Sequence, residues 1–381
     1  MIRLVLIIIF SLFSKVVFAE TIAIFTHKID CLGPWDPDNV KTGLPGSEEA
    51  VVNMAEELAN LGYQVIVFGN PPISSNYSST DLNPCYIDCD LDDGQYVDIA
   101  ISWRKPEIGR DLKKRASRVY LWLHDIARKT FSEEDLSFYD DVLWLSQWQK
   151  EQWISVSPAF AKFTNIYGNA INPKQFESIS ERENPYSCIY GSNCNRGVEV
   201  LLEIWPEIKR QFPRATLDIY YGWPKWGRGD SKKEKYLQKL TQDLQILGVN
   251  QHGFVGQEEL NQAYARASLW TYPCLVEETF CITGLRAQMA GAIPVIIDEY
   301  ALKETVRYGY KCKNRKDYFQ TLINAMEDIE SITLEKRQKI RDFILLEFTW
   351  KRIAQQWDKQ FKLDVVKIQN KDFSADLIGS Q

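Results

Sequence analysis

The sequence predicts an α/β protein built from two doubly wound parallel sheets. Short apolar segments, many of them β-branched, alternate with amphipathic helical segments after residue 20, which is the pattern of repeated strand–helix–strand units. The polar segment ISERENPY, residues 179–186, divides that alternation into two runs. A length of 381 residues also fits two domains of roughly 150–200 residues each.

The first run, residues 20–178, is predicted to form one Rossmann-like domain. Its first helix carries apolar residues on one face and stops at Gly62, a residue type that favours a helix end. The predicted strands are 21–26, 64–69, 97–103, 118–123, 141–146 and 163–169, and the predicted helices are 48–62 and 146–154.

The second run, residues 186–345, repeats the alternation and predicts a second Rossmann-like domain. Its predicted strands are 187–192, 215–222, 249–256, 270–274 and 293–297, and its predicted helices are 196–212, 232–248 and 257–269. One or two closing helices follow at 335–362, with a break at Phe348-Thr349-Trp350. Residues 364–381 form a polar tail that is expected to fray.

Residues 1–19 have the features of a secretory signal peptide. Arg3 precedes an apolar run from Leu4 to Phe13, and Ala19 closes a short exit segment. The run is shorter than the roughly 20 residues that span a bilayer, so cleavage is expected, with an uncleaved membrane anchor as the alternative. The chain is therefore expected on the secretory route or in association with a membrane through its N-terminus.

Composition argues against nucleic acid as a partner. The net charge is −6 and the chain has no basic block, whereas nucleic-acid binding requires a clustered positive surface. Hydrophobic residues at 45% and charged residues at 25% are ordinary for a globular protein.

The eight cysteines do not form a zinc-binding pattern, because the chain has no CxxC pair and no His cluster. In an exported protein, Cys85 and Cys89 could pair with each other or with Cys31. The acidic triplet Asp88-Cys89-Asp90 continues to Gly94 but lacks the Gly and Glu that a calcium-binding EF-hand loop requires. We therefore expect an acidic surface loop and no metal site.

The segment Tyr272–Asp298 carries the strongest functional signal. It reads as strand, acidic loop, short helix, glycine turn and strand. Glu278 stands directly before Thr279, Phe280 and Cys281, where the helix begins. Beyond the carboxyl end of a parallel strand, and at a helix N-terminus, this is a place where anions and sugars are held.

A second loop, KTGLPGSEEAVV, joins the first strand to the first helix. Gly43 and Gly46 permit close approach of a ligand to the backbone, and Ser47 can cap the helix. A capped helix start is the simpler interpretation, and contact with a diphosphate or an acceptor across the cleft is the functional one.

The strings TG-x-x-GSEE and EETFCITGLRAQMAGAIPV resemble glycosyltransferase family 4, the glycosyl transferases group 1, and the resemblance covers nearly the whole chain after residue 20. It implies the GT-B fold, in which the two Rossmann-like domains face each other across a cleft, with an acceptor in the first domain and a nucleotide-diphosphate sugar in the second. It also implies a closing helix, 346–363, that crosses back onto the first domain.

The resemblance also implies roles for individual residues. Glu278 contacts the donor sugar, and His124, which follows the predicted strand 118–123, borders the anomeric centre. Binding roles fall on Gly46, Ser47, Arg196, Phe254, Thr279, Phe280, Cys281 and Arg286. Among these, Arg196 opens a helix and is suited to a diphosphate because its guanidinium binds two oxygens at once.

Arg286 departs from the family pattern, which has a second Glu at this position, in contact with the nucleotide ribose. A guanidinium cannot accept hydrogen bonds from ribose hydroxyls, but it can meet a donor phosphate or pair with Glu277 or Glu278. A sugar- or nucleotide-binding protein without turnover is therefore the alternative function, and a nucleotide-sugar epimerase is a further one.

The function that the resemblance implies is a retaining glycosyltransferase. It would move a hexosyl group from a nucleotide-diphosphate sugar to a glycan, lipid or protein acceptor, with no obligatory metal or other cofactor. The reaction requires that the negative charge of the leaving diphosphate be neutralised. Arg196, helix N-termini and backbone amides can do this.

Overall fold

The computed structural model describes residues 19–29, 33–221 and 232–378. The predicted signal peptide, residues 1–19, lies outside these ranges except for its last residue. Within them, the helices are too short or too polar for a membrane span.

The first sheet contains six parallel strands in the order β3-β2-β1-β4-β5-β6. The strands are β1 Thr21–Phe25, β2 Gln64–Gly69, β3 Cys85–Asp88, β4 Val97–Trp103, β5 Ala116–Trp122 and β6 Asp141–Val142. Strands β1, β4 and β5 are almost wholly buried, as expected for a parallel sheet with helices on both faces.

Helices cover this sheet on both sides. They are α1 Asn39–Thr42, α2 Gly46–Asn60, α3 Gly109–Lys113, α4 Glu133–Leu136 and α5 Gln147–Val156. Helix α2 buries Val51, Val52, Ala55 and Leu58, which belong to the apolar face that the sequence predicts. Leu61, which was expected on the same face, lies just past the end of the helix and is 39% exposed.

The second sheet repeats this topology, with six parallel strands in the order β12-β11-β10-β7-β8-β9. The strands are β7 Ser187–Gly191, β8 Thr216–Tyr220, β9 Val249–Gly253, β10 Leu269–Tyr272, β11 Ile293–Ile297 and β12 Tyr310–Cys312. In each sheet the strand order reverses direction between the first and fourth strands, β1 and β4 or β7 and β10. Ligands bind at this reversal point in open α/β sheets.

The second domain and the C-terminal segment are largely helical outside the sheet. Their helices are α6 Val198–Gln211, α7 Lys232–Asp243, α8 Gln257–Arg266, α9 Ile282–Met289, α10 Leu302–Thr305, α11 Arg315–Glu327, α12 Leu334–Glu347 and α13 Trp350–Ile378. Short 3-10 turns occur at Cys89–Leu91, Pro106–Ile108, Pro158–Lys162, Pro173–Gln175, Cys194–Arg196, Gln245–Leu247 and Ile329–Ser331.

The last helix, α13, packs on the first domain. The rings of Trp357 and Trp122 meet edge to face with 4.8 Å between centroids. The Tyr120 hydroxyl donates to Asp364 over 2.8 Å, and the Tyr63 hydroxyl donates to Asp358 over 2.7 Å. The helix continues to Ile378, well past residue 364, where the polar tail was expected to begin.

Two strands predicted in the first domain are shorter or absent. Only Asp141–Val142 of the predicted strand 141–146 pairs with β5, and residues 163–169 contribute a single bridge between Ile166 and Trp144. The carbonyl of Trp144 accepts hydrogen bonds from the amides of both Tyr167 and Gly168. Two amides bonded to one carbonyl do not continue a β-ladder, because the hydrogen bonds of a regular parallel pair are evenly spaced along both strands.

The pairing of Cys85 with Cys89 considered from the sequence is not formed, because Cys85 begins strand β3 rather than lying in a loop. Four residues along a strand span roughly 13 Å, whereas the Cα atoms of a disulfide lie about 5.5–6 Å apart. The other described cysteines are also free thiols. Cys31, the alternative partner, lies outside the described residues.

Candidate active site in the interdomain cleft

A cleft of about 450 Å³ lies between the carboxyl edges of the two sheets. Both domains line it, because each contributes the loops that follow its central strands. Eight predicted site residues reach this cleft: Gly46, Ser47, His124, Arg196, Glu278, Thr279, Phe280 and Cys281. The remaining two, Phe254 and Arg286, line a smaller recess beside it.

Glu278 is held on the second-domain side of the cleft by two hydrogen bonds. It is buried and lies in the loop between β10 and α9. The hydroxyl of Tyr272 donates to its Oε2 over 2.9 Å, and Nη1 of Arg196 donates to the same oxygen over 2.8 Å. Because Oε2 carries both bonds, Oε1 is the oxygen that can receive a ligand hydroxyl.

Arg196 reaches Glu278 from the 3-10 turn that follows β7. The next residue, Gly197, has a φ of 105°, and a Cβ there would lie 1.9 Å from the carbonyl oxygen of Pro273. Only glycine fits this turn, so the turn fixes the direction of Arg196. The charge of Glu278 raises the pKa of Arg196 well above its ordinary value, which makes it a permanent cation at the cleft.

The N-terminus of α9 points at the same region. Cys281 caps the helix, and its Sγ accepts a hydrogen bond from the amide of Gly284 over 3.3 Å. Helix α2 begins at Gly46 on the opposite wall. Two helix N-termini therefore face one cleft, and each offers amide donors and a partial positive charge to an anion.

His124 follows β5 and is buried between two tryptophan rings. Its ring centroid lies 4.7 Å from that of Trp122 and 5.8 Å from that of Trp103. Burial, with a smaller contribution from the charge of Arg104, lowers the pKa of His124 to about 3. The imidazole is therefore neutral at physiological pH, and its Nε2 has no hydrogen-bond partner among the described residues.

Arg104 is a cleft residue that the sequence did not single out. It follows β4 with a φ of 68°, and it holds Asp125 through two hydrogen bonds, 2.7 Å from Nε and 2.5 Å from Nη2. Its Nη1 lies 3.6 Å from Oε1 of Glu48. Burial raises the pKa of Glu48 to about 7 despite this cation. The only sequence signal for Arg104 was its place directly after a predicted strand.

Direct hydrogen bonds join the two domains at the cleft. The Thr279 hydroxyl donates to the carbonyl of His124 over 3.1 Å, and the Ser146 hydroxyl donates to the carbonyl of Thr279 over 2.8 Å. Glu304 accepts from the amides of Gln147 and Trp148, each over 2.8 Å, at the N-terminus of α5. Loops from both domains are thereby fixed around the cleft.

Arg286 does not make either of the ion pairs proposed from the sequence. It is buried on α9, where it donates to Glu49 of the first domain and, over 2.7 Å, to Asn261. Glu277 and Glu278 lie in the loop before α9, nine and eight residues ahead of Arg286, and the side chain of Arg286 is directed towards α2 and α8 instead. It lies next to the cleft without entering it.

Phe254 lies against the first domain rather than in the main cleft. A Cβ on Gly43 would meet the Phe254 ring at 2.3 Å, so this contact requires a glycine. The Tyr221 ring stands edge to face with Phe254, 5.3 Å between centroids. Together these rings form one wall of the recess.

The acidic triplet of the first domain is paired with a lysine. Ligand atoms of Asp88, Cys89 and Asp90 lie within 4.8 Å of one another, but Nζ of Lys28 lies 2.8 Å from Asp88 and 2.6 Å from Asp90. The ammonium group occupies the position that a cation would take, so we assign no metal to this cluster.

Comparison with known proteins places these features in a family context. Residues 172–343 match the glycosyl transferases group 1 family. No curated protein sequence matches the chain.

Solved structures are similar over nearly the whole chain. Sucrose-phosphate synthase from Thermosynechococcus elongatus is 17% identical with a TM-score of 0.69, over 91% of this chain and 100% of that one. The HepE protein of Anabaena, in complex with UDP-glucose, is 15% identical with a TM-score of 0.66, over 90% and 99%. A glycosyltransferase from Rickettsia africae is 12% identical with a TM-score of 0.66, over 90% and 98%. At such identities the likeness concerns the fold, and the predicted GT-B fold is confirmed.

Proposed function

We propose that this chain, a glycosyltransferase with the GT-B fold and a group 1 donor domain, transfers a hexosyl group from a nucleotide-diphosphate sugar with retention of anomeric configuration. The acceptor is a glycan, a lipid or a protein. The observation that carries the proposal is the ion pair of Arg196 and Glu278 at the N-terminus of α9, facing His124 across the cleft.

Departure of the nucleoside diphosphate is the step that most needs the protein, because negative charge develops on the leaving oxygen. Arg196 supplies a fixed cation, and the N-termini of α2 and α9 supply amide donors. Preorganised donors of this kind stabilise a developing charge by about 3–4 kcal/mol each. These positively charged groups support transfer without an obligatory metal.

The hexosyl group would lie between Glu278 and His124. Oε1 of Glu278 can accept a sugar hydroxyl, since its other oxygen is engaged by Tyr272 and Arg196. The neutral imidazole of His124 offers either a donor or an acceptor to the sugar, depending on its tautomer. We assign both residues to orientation of the sugar near its reacting carbon.

Retention without a covalent protein intermediate is supported by the state of the carboxylates that line the cleft. Among the described residues these are Glu278 and Asp125, and each is ion-paired with an arginine, Arg196 or Arg104. A paired carboxylate is a weak nucleophile. We therefore propose that the acceptor hydroxyl attacks on the face from which the diphosphate leaves.

The acceptor is assigned to the first domain. A recess of about 580 Å³ adjoins the cleft there, and the two share Arg104 and Asp125. Its other polar lining residues are His27, Lys105 and Glu107, which supports a polar, hydroxylated acceptor.

We also propose that the chain acts on the secretory route or at a membrane. This part of the proposal rests on Arg3 and the apolar run from Leu4 to Phe13. N-terminal sequencing of the protein recovered from its native source tests it: a mature N-terminus near Glu20 indicates cleavage, and an intact N-terminus indicates an anchor.

Binding without turnover is the second candidate function, because Arg286 stands where the family pattern has a carboxylate. The two functions are separated by screening the protein, beginning at Glu20, against UDP-, GDP- and ADP-sugars for hydrolysis and transfer. Release of a nucleoside diphosphate that is lost in Glu278→Ala and kept in Glu277→Ala supports the transferase. Binding of a nucleotide sugar without release supports the binding protein.

A further inference from the structure

A recess of about 70 Å³ opens beside the cleft, and its chemistry suits a nucleoside. It shares Gly46, Tyr221 and Thr283 with the cleft, so the two are continuous. Aromatic side chains, Tyr220 and Phe254 among them, form part of its wall. Aromatic faces of this kind stack on planar heterocycles.

The recess also contains a buried carboxylate that comes from the other domain. Glu49 belongs to α2 of the first domain, and it is fixed by Arg286 on α9 and by Gln257 on α8, whose Nε2 donates to it over 2.8 Å. Asn261 in turn accepts a hydrogen bond from Arg286 over 2.7 Å. Burial of such a pair is costly unless its charges are compensated. Here Arg286 and Gln257 hold the carboxylate directly, and Asn261 orients Arg286.

We propose that Glu49 binds the ribose hydroxyls of the donor nucleotide, with Arg286 and Gln257 as the residues that position it. The inference rests on the proposed function, because it needs a nucleotide donor. A diphosphate held by Arg196 and the N-terminus of α9 has its sugar on the Glu278 side of the cleft. Its nucleoside then extends into the recess that continues from the cleft.

The chemistry of the hydroxyl groups favours Glu49 over its neighbours. A ribose diol presents two hydroxyl donors, and Arg286 has no acceptor for them. Each oxygen of Glu49 accepts one described hydrogen bond, and a carboxylate oxygen can accept a second. The first domain, through Glu49, therefore supplies the hydrogen-bond acceptor for the ribose hydroxyls, at the place where the second domain carries Arg286.

One consequence is that nucleotide binding would require both domains. Glu49 reaches the recess only while α2 lies against α8 and α9. A ligand held by Glu49 and by Arg196 spans the interdomain boundary, so its binding would stabilise this relative position of the two domains.

The test is equilibrium binding of UDP, GDP and ADP, and of their 2′-deoxy and 3′-deoxy counterparts, to the full-length chain by calorimetry. We expect the wild type to bind one ribonucleotide about 10- to 100-fold more tightly than its deoxy forms, as for a hydrogen bond to a charged group. Glu49→Gln should reduce that ratio to about threefold or less, chiefly by weakening binding of the ribonucleotide.

Three further variants separate recognition from folding. Glu56→Gln changes an exposed carboxylate on the same helix and should keep the wild-type ratio. Arg286→Met should abolish the preference for the ribonucleotide over its deoxy forms, because Glu49 is no longer held. Arg286→Lys should restore most of that preference. Thermal unfolding of each variant shows whether it is folded.

The outcomes distinguish this inference from the proposed function. Equal affinity of the wild type for ribo- and deoxynucleotides overturns the role of Glu49 while leaving a nucleotide-dependent enzyme, and it does so even if Glu49→Gln fails to fold. A wild-type ratio that survives in folded Glu49→Gln also overturns it. Absence of binding to all of the nucleotides, in a folded protein, overturns the proposed function itself.

Discussion

Arg196 and Glu278 form an ion pair, 2.8 Å between Nη1 and Oε2, that joins the loops after β7 and β10. These are the first and fourth strands of the second sheet, which lie side by side at the reversal of strand order. The pair therefore forms where the topology itself opens a crevice. It sets a cation and a carboxylate next to each other, one suited to a phosphate and the other to sugar hydroxyls.

The first prediction concerns the cation of this pair. Arg196→Met should lower kcat by about 100- to 1,000-fold, because a preorganised donor to the leaving diphosphate is removed. Arg196→Lys should recover part of the loss, since it keeps the charge but not the two-pronged geometry. Steady-state kinetics measures both variants. Arg210→Met, which removes a surface cation at the end of α6, is the matched control, and an equal loss there would refute the assignment.

The second prediction concerns the protonation of His124. Its pKa of about 3 lies below the ordinary 6.5, so the imidazole should stay neutral from pH 8 down to about pH 4. An NMR titration of the imidazole shifts checks this directly. His124→Gln should lower kcat at every pH between 5 and 8 without moving the midpoints of the pH–rate profile. A midpoint near 6.5 that disappears in His124→Gln would show that the prediction is wrong.

The same shift has a consequence for stability. Because the folded-state pKa of His124 is depressed, the unfolded chain binds a proton between about pH 6.5 and pH 3 that the folded protein does not. The stability that this residue contributes is present above pH 6.5 and is lost as the pH falls towards 3.

Most strands of the two sheets could be predicted because their signal is local. A buried parallel strand is a short apolar run between polar segments, and β1, β2, β4, β7 and β11 fit this description. The short β6 was overestimated because Leu143, Trp144 and Leu145 are apolar and buried without belonging to a strand. Burial and pairing are separate properties, and the sequence pattern reports only burial.

Many residues of the site could be predicted because they directly follow a predicted strand or directly precede a predicted helix. The partners of its residues could not, because they come from distant parts of the chain. Glu49 lies 237 residues from Arg286, and no local pattern links them. Tyr272 could be placed in a strand, but its bond to Glu278 depends on how the intervening loop folds back.

The third prediction uses the buried carboxyl of Glu48. Its pKa is raised from 4.5 to about 7, chiefly because burial disfavours the charged form. The stability that it contributes is therefore complete below pH 4.5 and is lost as the pH rises through 7. The free energy of unfolding of Glu48→Gln, relative to that of the wild type, should therefore rise by about 3 kcal/mol between pH 5 and pH 8.5, since one pKa unit corresponds to about 1.36 kcal/mol.

Urea unfolding of the two proteins at both pH values measures this difference. The control is Glu56→Gln, whose carboxyl is exposed on the same helix; as a surface substitution it should change the free energy of unfolding by about 0.5 kcal/mol or less at either pH. A difference between Glu48→Gln and the wild type that is independent of pH would mean that Glu48 is ionised in the folded protein throughout this range.

The last prediction concerns the helix that crosses back to the first domain. Trp357 on α13 is fully buried against Trp122 of β5, so Trp357→Ala should cost about 3–5 kcal/mol in the free energy of unfolding. Trp357→Phe should cost much less, because it keeps an aromatic contact and removes an indole N–H that has no acceptor among the described residues. Leu363→Ala, at a position 48% exposed on the same helix, should change stability by about 0.5 kcal/mol or less. Urea unfolding of the three variants checks this order. If Trp357→Ala proved no more costly than Leu363→Ala, α13 would not be an integral part of the first domain, and the two domains would be joined chiefly by the contacts at the cleft.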